Sequence, residues 1–416
     1  MELWARISMI QEFKKVWKQY TIGMLWLLGL LWPMLGIHAD GTLTFQKTVT
    51  VWSYLLAGTF VCLLIYLLNT SGYLKFVSNP LSRATGKMKS ATSALPTWVW
   101  FALIFVAALF YPQFAGRYGT DVAINVLLYI CLGLGLNVVV GLAGMLDLGY
   151  IAFYGVGAYS YAVLNSVYGL GFWVCLPFSA LFACIAGCIV GYPTLRMRGD
   201  YLAIVTLGFG EIIRIILNNW MSLTNGPNGI LGVKPIGIYW PIFENGFTFE
   251  HIWVKKLQFF YYFALGLAIV AAIAVKRLNF SRVGRAWESI REDETAAELM
   301  GVNTFIYKLL AYAMGAVFAG LAGAFFAARM KFVSPESFTF LESAMVLCMV
   351  VLGGMGSIPG IILGVAALIA LPEVFRQFDS YRMLIFGATM IIMMLFRPSG
   401  LIPAKRVGTR SEEKEG

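Results

Sequence analysis

A chain of 416 residues in which 59% of positions are hydrophobic and 12% charged is too apolar for a water-soluble fold, since soluble domains average about half apolar and a quarter charged. Its roughly 245 apolar positions leave room for about twelve bilayer spans of some 20 residues each. Runs such as 212–217, broken only by Arg214, and 384–396 are apolar without alternation, which excludes an outer-membrane barrel, and the formal charge of +10 is to be read by where the basic residues fall rather than as a sign of nucleic acid.

The fold class is therefore all-α and polytopic, with ten to twelve helices, some of them glycine-broken or re-entrant. At the N-terminus Arg6, Lys14, Lys15 and Lys18 precede the first long apolar run. No small-residue cleavage site follows a short apolar core, so this helix is read as retained. Candidate spans follow near 22–38, 49–68, 97–112, 122–140, 148–166, 172–194, 201–219, 258–275, 306–328, 341–357, 359–374 and 381–396. If all cross, the segments 1–21, 69–96, 141–147, 195–200, 276–308 and 397–416 lie on one side and hold 21 of the 31 Lys and Arg residues. The positive-inside rule makes that side, and both termini, cytoplasmic. The largest external segment is then 220–257, with a turn-rich stretch from Thr224 to Gly229.

Three parts are expected: an accessory region, 1–96, with two helices and a polar cytoplasmic loop; a core, 97–404, that includes the loop 276–308; and a charged tail, 405–416. Cys62, Cys131, Cys175, Cys184, Cys188 and Cys348 all lie in apolar segments and read as small hydrophobes, not as disulfides or a metal site.

Within the core, glycines interrupt one apolar segment in each half: Gly133, Gly135, Gly141, Gly144, Gly149, Gly155 and Gly157 in the first, Gly353, Gly354, Gly356, Gly360 and Gly364 in the second. Irregular backbone is not tolerated against lipid, so matched breaks point to a translocation path; close helix packing through small residues is the alternative. Ser334-Pro335-Glu336 reads as a helix start whose free N–H groups could receive a carboxylate. Asp147 and Asp200 precede apolar segments and read as caps. Asn137, Thr206, Glu211 and Arg214 are polar residues within spans, where a charge usually faces a cavity or a partner. Glu211 and Arg214, three apart, can also pair on one helix face.

The loop 276–308 is the most polar stretch of the chain. Good helix formers run from Gly284 to Met300 and stop at Gly301, giving an amphipathic cytoplasmic helix that carries both signs of charge and suits docking to a soluble protein. Neither a GxxxxGK[ST] phosphate loop nor an acid–base or nucleophile constellation is present, His38 and His251 being isolated near span ends. The chain is thus expected not to be an enzyme, and any nucleotide would be hydrolysed by a separate subunit. A stand-alone ion-coupled secondary transporter, using Glu211 and Arg214, is the alternative from another class; a non-transporting scaffold would not need paired breaks.

Thr295-Ala296-Ala297 followed by Gly301 is similar to the EAA-x-x-x-G loop of ABC importer permeases, with threonine in place of glutamate. Gly135–Gly144, Arg198–Ile212, Gly226-Pro227-Asn228-Gly229, Gly284–Trp287, Phe332–Phe338 and Val351–Ser357 resemble the LivM-type permeases of high-affinity branched-chain amino-acid ABC importers, over roughly 120–405. The resemblance implies an ABC importer transmembrane domain in the bacterial inner membrane, moving leucine, isoleucine and valine. It implies a second, LivH-like permease, two ATPases (LivG-like and LivF-like) and a periplasmic amino-acid-binding protein, with ATP and Mg held by the ATPases and no cofactor in this chain. Coupling to an ATPase is then expected of Arg285, Trp287, Glu288, Glu292, Asp293 and Gly301, and a place along or beside the substrate path of Asn137, Thr206, Glu211, Ser334 and Glu336.

Overall fold

A computed structural model describes residues 108–195, 197, 199–242, 248–253, 256–374, 387 and 400–402, which belong to one compact unit, Ile104–Gly416. The expected spans at 22–38, 49–68 and 381–396, the accessory region and the tail lie outside the described residues.

The first long helix, α1 (Gly116–Asn137), continues into a five-residue π-helical turn, Val138–Leu142. A non-helical stretch, 143–150, leads to α2 (Ile151–Ser166), then α3 (Phe172–Thr194), α4 (Asp200–Asn219) and the single turn α5 (Met221–Thr224). After a 3-10 turn at Gly226–Asn228 come β1 (Ile230–Leu231) and a hairpin of β2 (Gly237–Ile242) and β3 (Thr248–Trp253). Next are α6 (Leu257–Asn279), two short helices α7 (Arg282–Glu292) and α8 (Glu294–Leu299), and α9 (Thr304–Met330). The strand β4 (Phe332–Val333), a 3-10 turn (Pro335–Ser337), α10 (Phe340–Gly353) and α11 (Ile358–Val374) follow and complete the elements among the described residues. Among the described residues six helices are long and apolar enough to cross a membrane. This is a multi-pass membrane protein.

The spans form because long apolar runs satisfy every backbone group internally, which is the requirement lipid imposes. α9 is the central post, packed against α1, α2 and α3. Small residues permit this: Ala311, Ala316, Ala319, Ala322, Ala324 and Ala328 on α9 are all buried, and close approach is what holds helices together where lipid is as apolar as leucine.

Two ends of the unit are defined by contacts. One carries 143–150, α7 and α8, and the α10–α11 turn. The other carries the start of α1, the end of α9 and the stretch 220–237. At this second end Arg329 pairs with Asp121 at 2.6 Å and donates to Asn125 at 2.6 Å. β1 there pairs antiparallel with β4, Ile230 opposite Val333. The turn-rich stretch is tied by Thr224, whose hydroxyl donates to Leu217 O at 2.6 Å, and by Asn225, whose amide donates to Gly229 O at 2.9 Å.

Both glycine-marked segments are interrupted, and in the first the exposed Gly144 and Leu146 lie in the non-helical stretch that follows a buried helix end. Residues 131–143 are all buried, and most of the glycines serve close packing. The second break, 354–357, lies against the first. It is sealed by a returning segment in which the Leu401 and Ile402 N–H groups donate to Leu352 O and Gly353 O at 2.9 and 3.1 Å. The expected helix start at Ser334 is also displaced. Ser334 heads only the 3-10 turn and makes no side-chain cap, and α10 begins after Thr339, because Ser-Pro-Glu suits a tight turn as well as a helix start.

Candidate coupling site and polar flank

Sequence reading expects one helix from Gly284 to Met300; the structure has two. α7 starts at Ser281, whose hydroxyl oxygen accepts the Gly284 N–H at 3.2 Å, and ends at Asp293, where the backbone turns extended (φ −154°, ψ 110°). The Asp293 carboxylate accepts the Thr295 and Ala296 N–H groups at 2.8 and 3.0 Å and so caps α8. Aspartate offers the backbone this alternative to continuing a helix. α8 closes at Gly301 (φ +86°), with the Val302 N–H bonded to Ala297 O at 3.0 Å and the Gly301 N–H to Glu298 O at 2.9 Å. That double closure needs a left-handed residue, hence glycine.

The two faces of α7 differ sharply. Gly284, Trp287 and Ile290 are buried at three-residue spacing, which is one face of a helix. Trp287 is fully buried, and its indole N–H donates to Tyr307 O at 2.7 Å. Lys308 of α9, itself buried, pairs with Glu294 at 2.6 Å. The outer face presents Arg285, Glu288 and Glu292, all exposed. Of the expected coupling residues, these three are exposed, as are Asp293 and Gly301, and only Trp287 is buried. Trp287 anchors the helix from within, Asp293 is engaged in the cap, and Gly301 ends the motif.

The expected path residues separate into two groups. Asn137 is fully buried, and its side-chain oxygen accepts the Gly356 N–H at 2.8 Å, tying the first break to the second. Thr206, also buried, accepts the Leu148 N–H at 3.1 Å and donates to Ala203 O at 3.0 Å. Both act as braces near the α7 end. Glu211, Ser334 and Glu336 lie toward the other end. Arg214 Nε donates to Glu211 Oε1 at 2.9 Å, a second guanidinium nitrogen meets the same oxygen, and exposed Glu336 lies within electrostatic reach of Arg214. This pair sits half-buried on a span-length helix, α4, whose flank is largely uncovered. Arg291 and Ser343 are missed by sequence reading. Ser343 on α10 accepts the Ile151 N–H at 3.1 Å and fixes the start of α2.

Asp147 completes the braced region, between the end of the first span at Leu142 and α2. One carboxylate oxygen accepts the Gly149 N–H at 2.9 Å, and the other has no partner. Burial pushes this carboxyl up to about 6, partly offset by Gly149 and Thr206. A carboxyl that holds its proton more tightly folded than unfolded favours folding below the unfolded value of 3.8, and that stability is lost as pH rises through about 6. Asp147→Asn keeps the Gly149 bond without the charge. Thermal unfolding across a pH series should show it more stable than the parent by on the order of 2 kcal/mol at pH 7, with the difference closing toward pH 4. Equal melting at every pH would contradict this.

A multi-span helical unit with a separately anchored, outward-charged pair of short helices between two spans is a transport permease. The profile of the family described as branched-chain amino acid transport system / permease component matches residues 118–394. The chain is 42% identical over 410 residues to the high-affinity branched-chain amino acid transport system permease protein LivM of Salmonella typhimurium, covering 93% of this chain and 94% of that protein. It is 43% identical over 392 residues to LivM of Escherichia coli K12, covering 89% and 90%. The LivH permease of the same E. coli strain is more distant, 25% identical over 288 residues, or 66% of this chain and 91% of that one. No solved structure matches the chain. The chain belongs to the branched-chain amino acid transport permease family.

Proposed function

We propose that this chain is one permease subunit of an ATP-driven importer carrying leucine, isoleucine and valine across the bacterial inner membrane. It pairs with a second, LivH-like permease, is powered by two ATPases of the LivG and LivF kind, and is supplied by a periplasmic amino-acid-binding protein. ATP and Mg are held by the ATPases, and this chain hydrolyses nothing. The α7 end and both termini are cytoplasmic. Residues 97–404 form the transporting core, and 1–96 an accessory region.

The observation that carries this reading is α7, held to the bundle by Trp287 on one face and bare on the other, where Arg285 and Glu288 project. A charged, preformed helix fixed between two spans is a lever for a soluble motor. The flank of α4 supports the same reading. An ion pair on an uncovered span face is costly against lipid, so Glu211, Arg214 and Glu336 form one wall of a path whose other wall is the second permease. Ser334 lies beside that wall, and Asn137 and Thr206 brace its far end. The ion-coupled alternative gains no support here, because Glu211 and Arg214 neutralise each other.

Arg285→Glu combined with Glu288→Arg should cut ATPase co-purification and ATP-dependent leucine uptake in proteoliposomes by about tenfold or more. Undiminished assembly and uptake would remove the docking role. Uptake driven by an ion gradient without ATPases would sink the importer reading.

A further inference from the structure

Arg291 occupies the last turn of α7, one helical turn beyond Trp287. Like Arg285 and Glu288 it is exposed, but its guanidinium reaches back to the bundle. Nη1 donates to Gly141 O in the π-helical turn, a contact between residues 150 positions apart. The stem of the side chain packs on Gly144, where an added Cβ would lie 2.7 Å from Arg291 Cγ and 3.1 Å from its Cβ.

The reason for this contact is local. When α1 ends in the π turn, the Ala143 and Met145 N–H groups serve Val138 O and Val139 O at 3.2 and 3.1 Å. Gly141 O, in the last residues of the turn, has no helical continuation to serve it. The guanidinium takes that place, and a cation at a helix C-terminus lies in a favourable field. The bond is also charge-assisted, with a donor geometry that a lysine ammonium reproduces only in part.

The contact does not stop at Gly141. A Cβ at that position would strike the Asn137 side-chain oxygen at 1.9 Å and Gly356 N at 2.6 Å, so the three groups are packed together. Asn137 in turn holds the Gly356 N–H at 2.8 Å. The outward-charged helix, the first break and the second break are thus joined in one continuous line of contacts. Neither Arg285 nor Glu288 reaches either break.

We propose that Arg291 is the positioning residue through which displacement of α7 is delivered to both interrupted segments, so that it sets how much transport each ATP hydrolysed yields. The proposal rests on the reading of α7 as the ATPase-docking helix. Arg291 is assigned no part in docking itself, because its guanidinium, although the residue is exposed, is engaged on Gly141 O.

The test uses the complete complex of both permeases and both ATPases in proteoliposomes, supplied with binding protein and leucine. Hydrolysis and uptake are measured in the same preparation. Arg291→Met, which keeps the stem and removes every donor, should leave hydrolysis near the parent rate while leucine moved per ATP falls about tenfold. Arg291→Lys should recover much of that ratio. Gly144→Ala presses on the arginine stem from the other side and should lower the ratio as Arg291→Met does. Should Arg291→Met not fold, Arg291→Lys and Gly144→Ala carry the comparison. An unchanged ratio, a parallel fall in hydrolysis and uptake, or loss of the ATPases from a folded chain would each overturn the proposal. Absence of ATP-dependent uptake by the parent complex would instead overturn the functional reading beneath it.

Discussion

A valine at position 157 is expected to prevent α2 from seating on α9, with loss of a monodisperse, folded chain in detergent. Even a single Cβ at Gly157 would lie 2.4 Å from Gly320 Cα and 2.6 Å from Gly320 O. Gly320 has no room to retreat, since a Cβ there would meet Ala183 at 2.6 Å and Ser179 O at 2.7 Å on α3. Three helices therefore touch backbone to backbone through this point. Overpacking usually costs about 1–3 kcal/mol per site, and a clash against main chain cannot be relieved by a rotamer change. Between membrane helices the loss is larger in effect, because close packing is itself the source of association. Gly157→Ala should show an intermediate drop in melting temperature, and Gly157→Val a collapse. Gly266→Ala is the control: on α6 the added Cβ meets nothing within 4 Å, so the change should be neutral or slightly stabilising. Equal melting of the Gly157→Val chain and the parent would contradict the three-helix contact.

Trp287→Ala should act differently, unseating one element while the bundle survives. The indole is fully buried and donates to Tyr307 O. Truncation to alanine removes the largest anchor of α7 and costs about 3–5 kcal/mol of local stability, more than a helix of eleven residues recovers from its own propensity. Trp287→Phe keeps most of the volume but loses the indole N–H bond to Tyr307 O, a cost of about 0.5–1.5 kcal/mol. Limited proteolysis of the segment 280–303 reads the effect directly. Cleavage should be fast in Trp287→Ala, slower in Trp287→Phe and slowest in the parent, with ATPase co-purification falling in the same order. A Trp287→Ala chain that keeps both protease resistance and its partners would show that α7 is held by something else.

The spans were legible because uniform apolar runs leave the backbone no other solution in lipid; the segment 172–194 matches α3 at both ends. Shorter features competed less clearly. The hairpin 237–253 carries Pro241 within one strand and polar residues in the other, so its alternation is weak and it read as loop. Asp293 lies in a stretch of good helix formers, and only its carboxylate on the Thr295 and Ala296 N–H groups reveals the break. Asn137 and Thr206 were legible as unusual polar residues in spans, but pattern alone cannot say which way such a side chain points. Both turn toward neighbouring backbone. Arg291 carried no signal at all, since its partner is a main-chain carbonyl 150 positions away and backbone oxygens look alike in every sequence. The glycines were read for their number, yet what each does depends on the surface it meets. Gly354 and Gly356 adopt φ of +114° and +89° at a turn, whereas Gly157 and Gly320 meet face to face.

The returning segment 400–402 bears on how the chain is made. Leu352 O and Gly353 O, the last carbonyls of α10, are served by the N–H groups of Leu401 and Ile402, yet translation runs through the whole of α11 and beyond before supplying them. During biosynthesis α10 enters the bilayer with an open C-terminal end, and at that end unpaired carbonyls are tolerated only in contact with water or headgroups. The second break therefore reaches its final form only after residues 401–402 have been made, well after α10 itself has been synthesised.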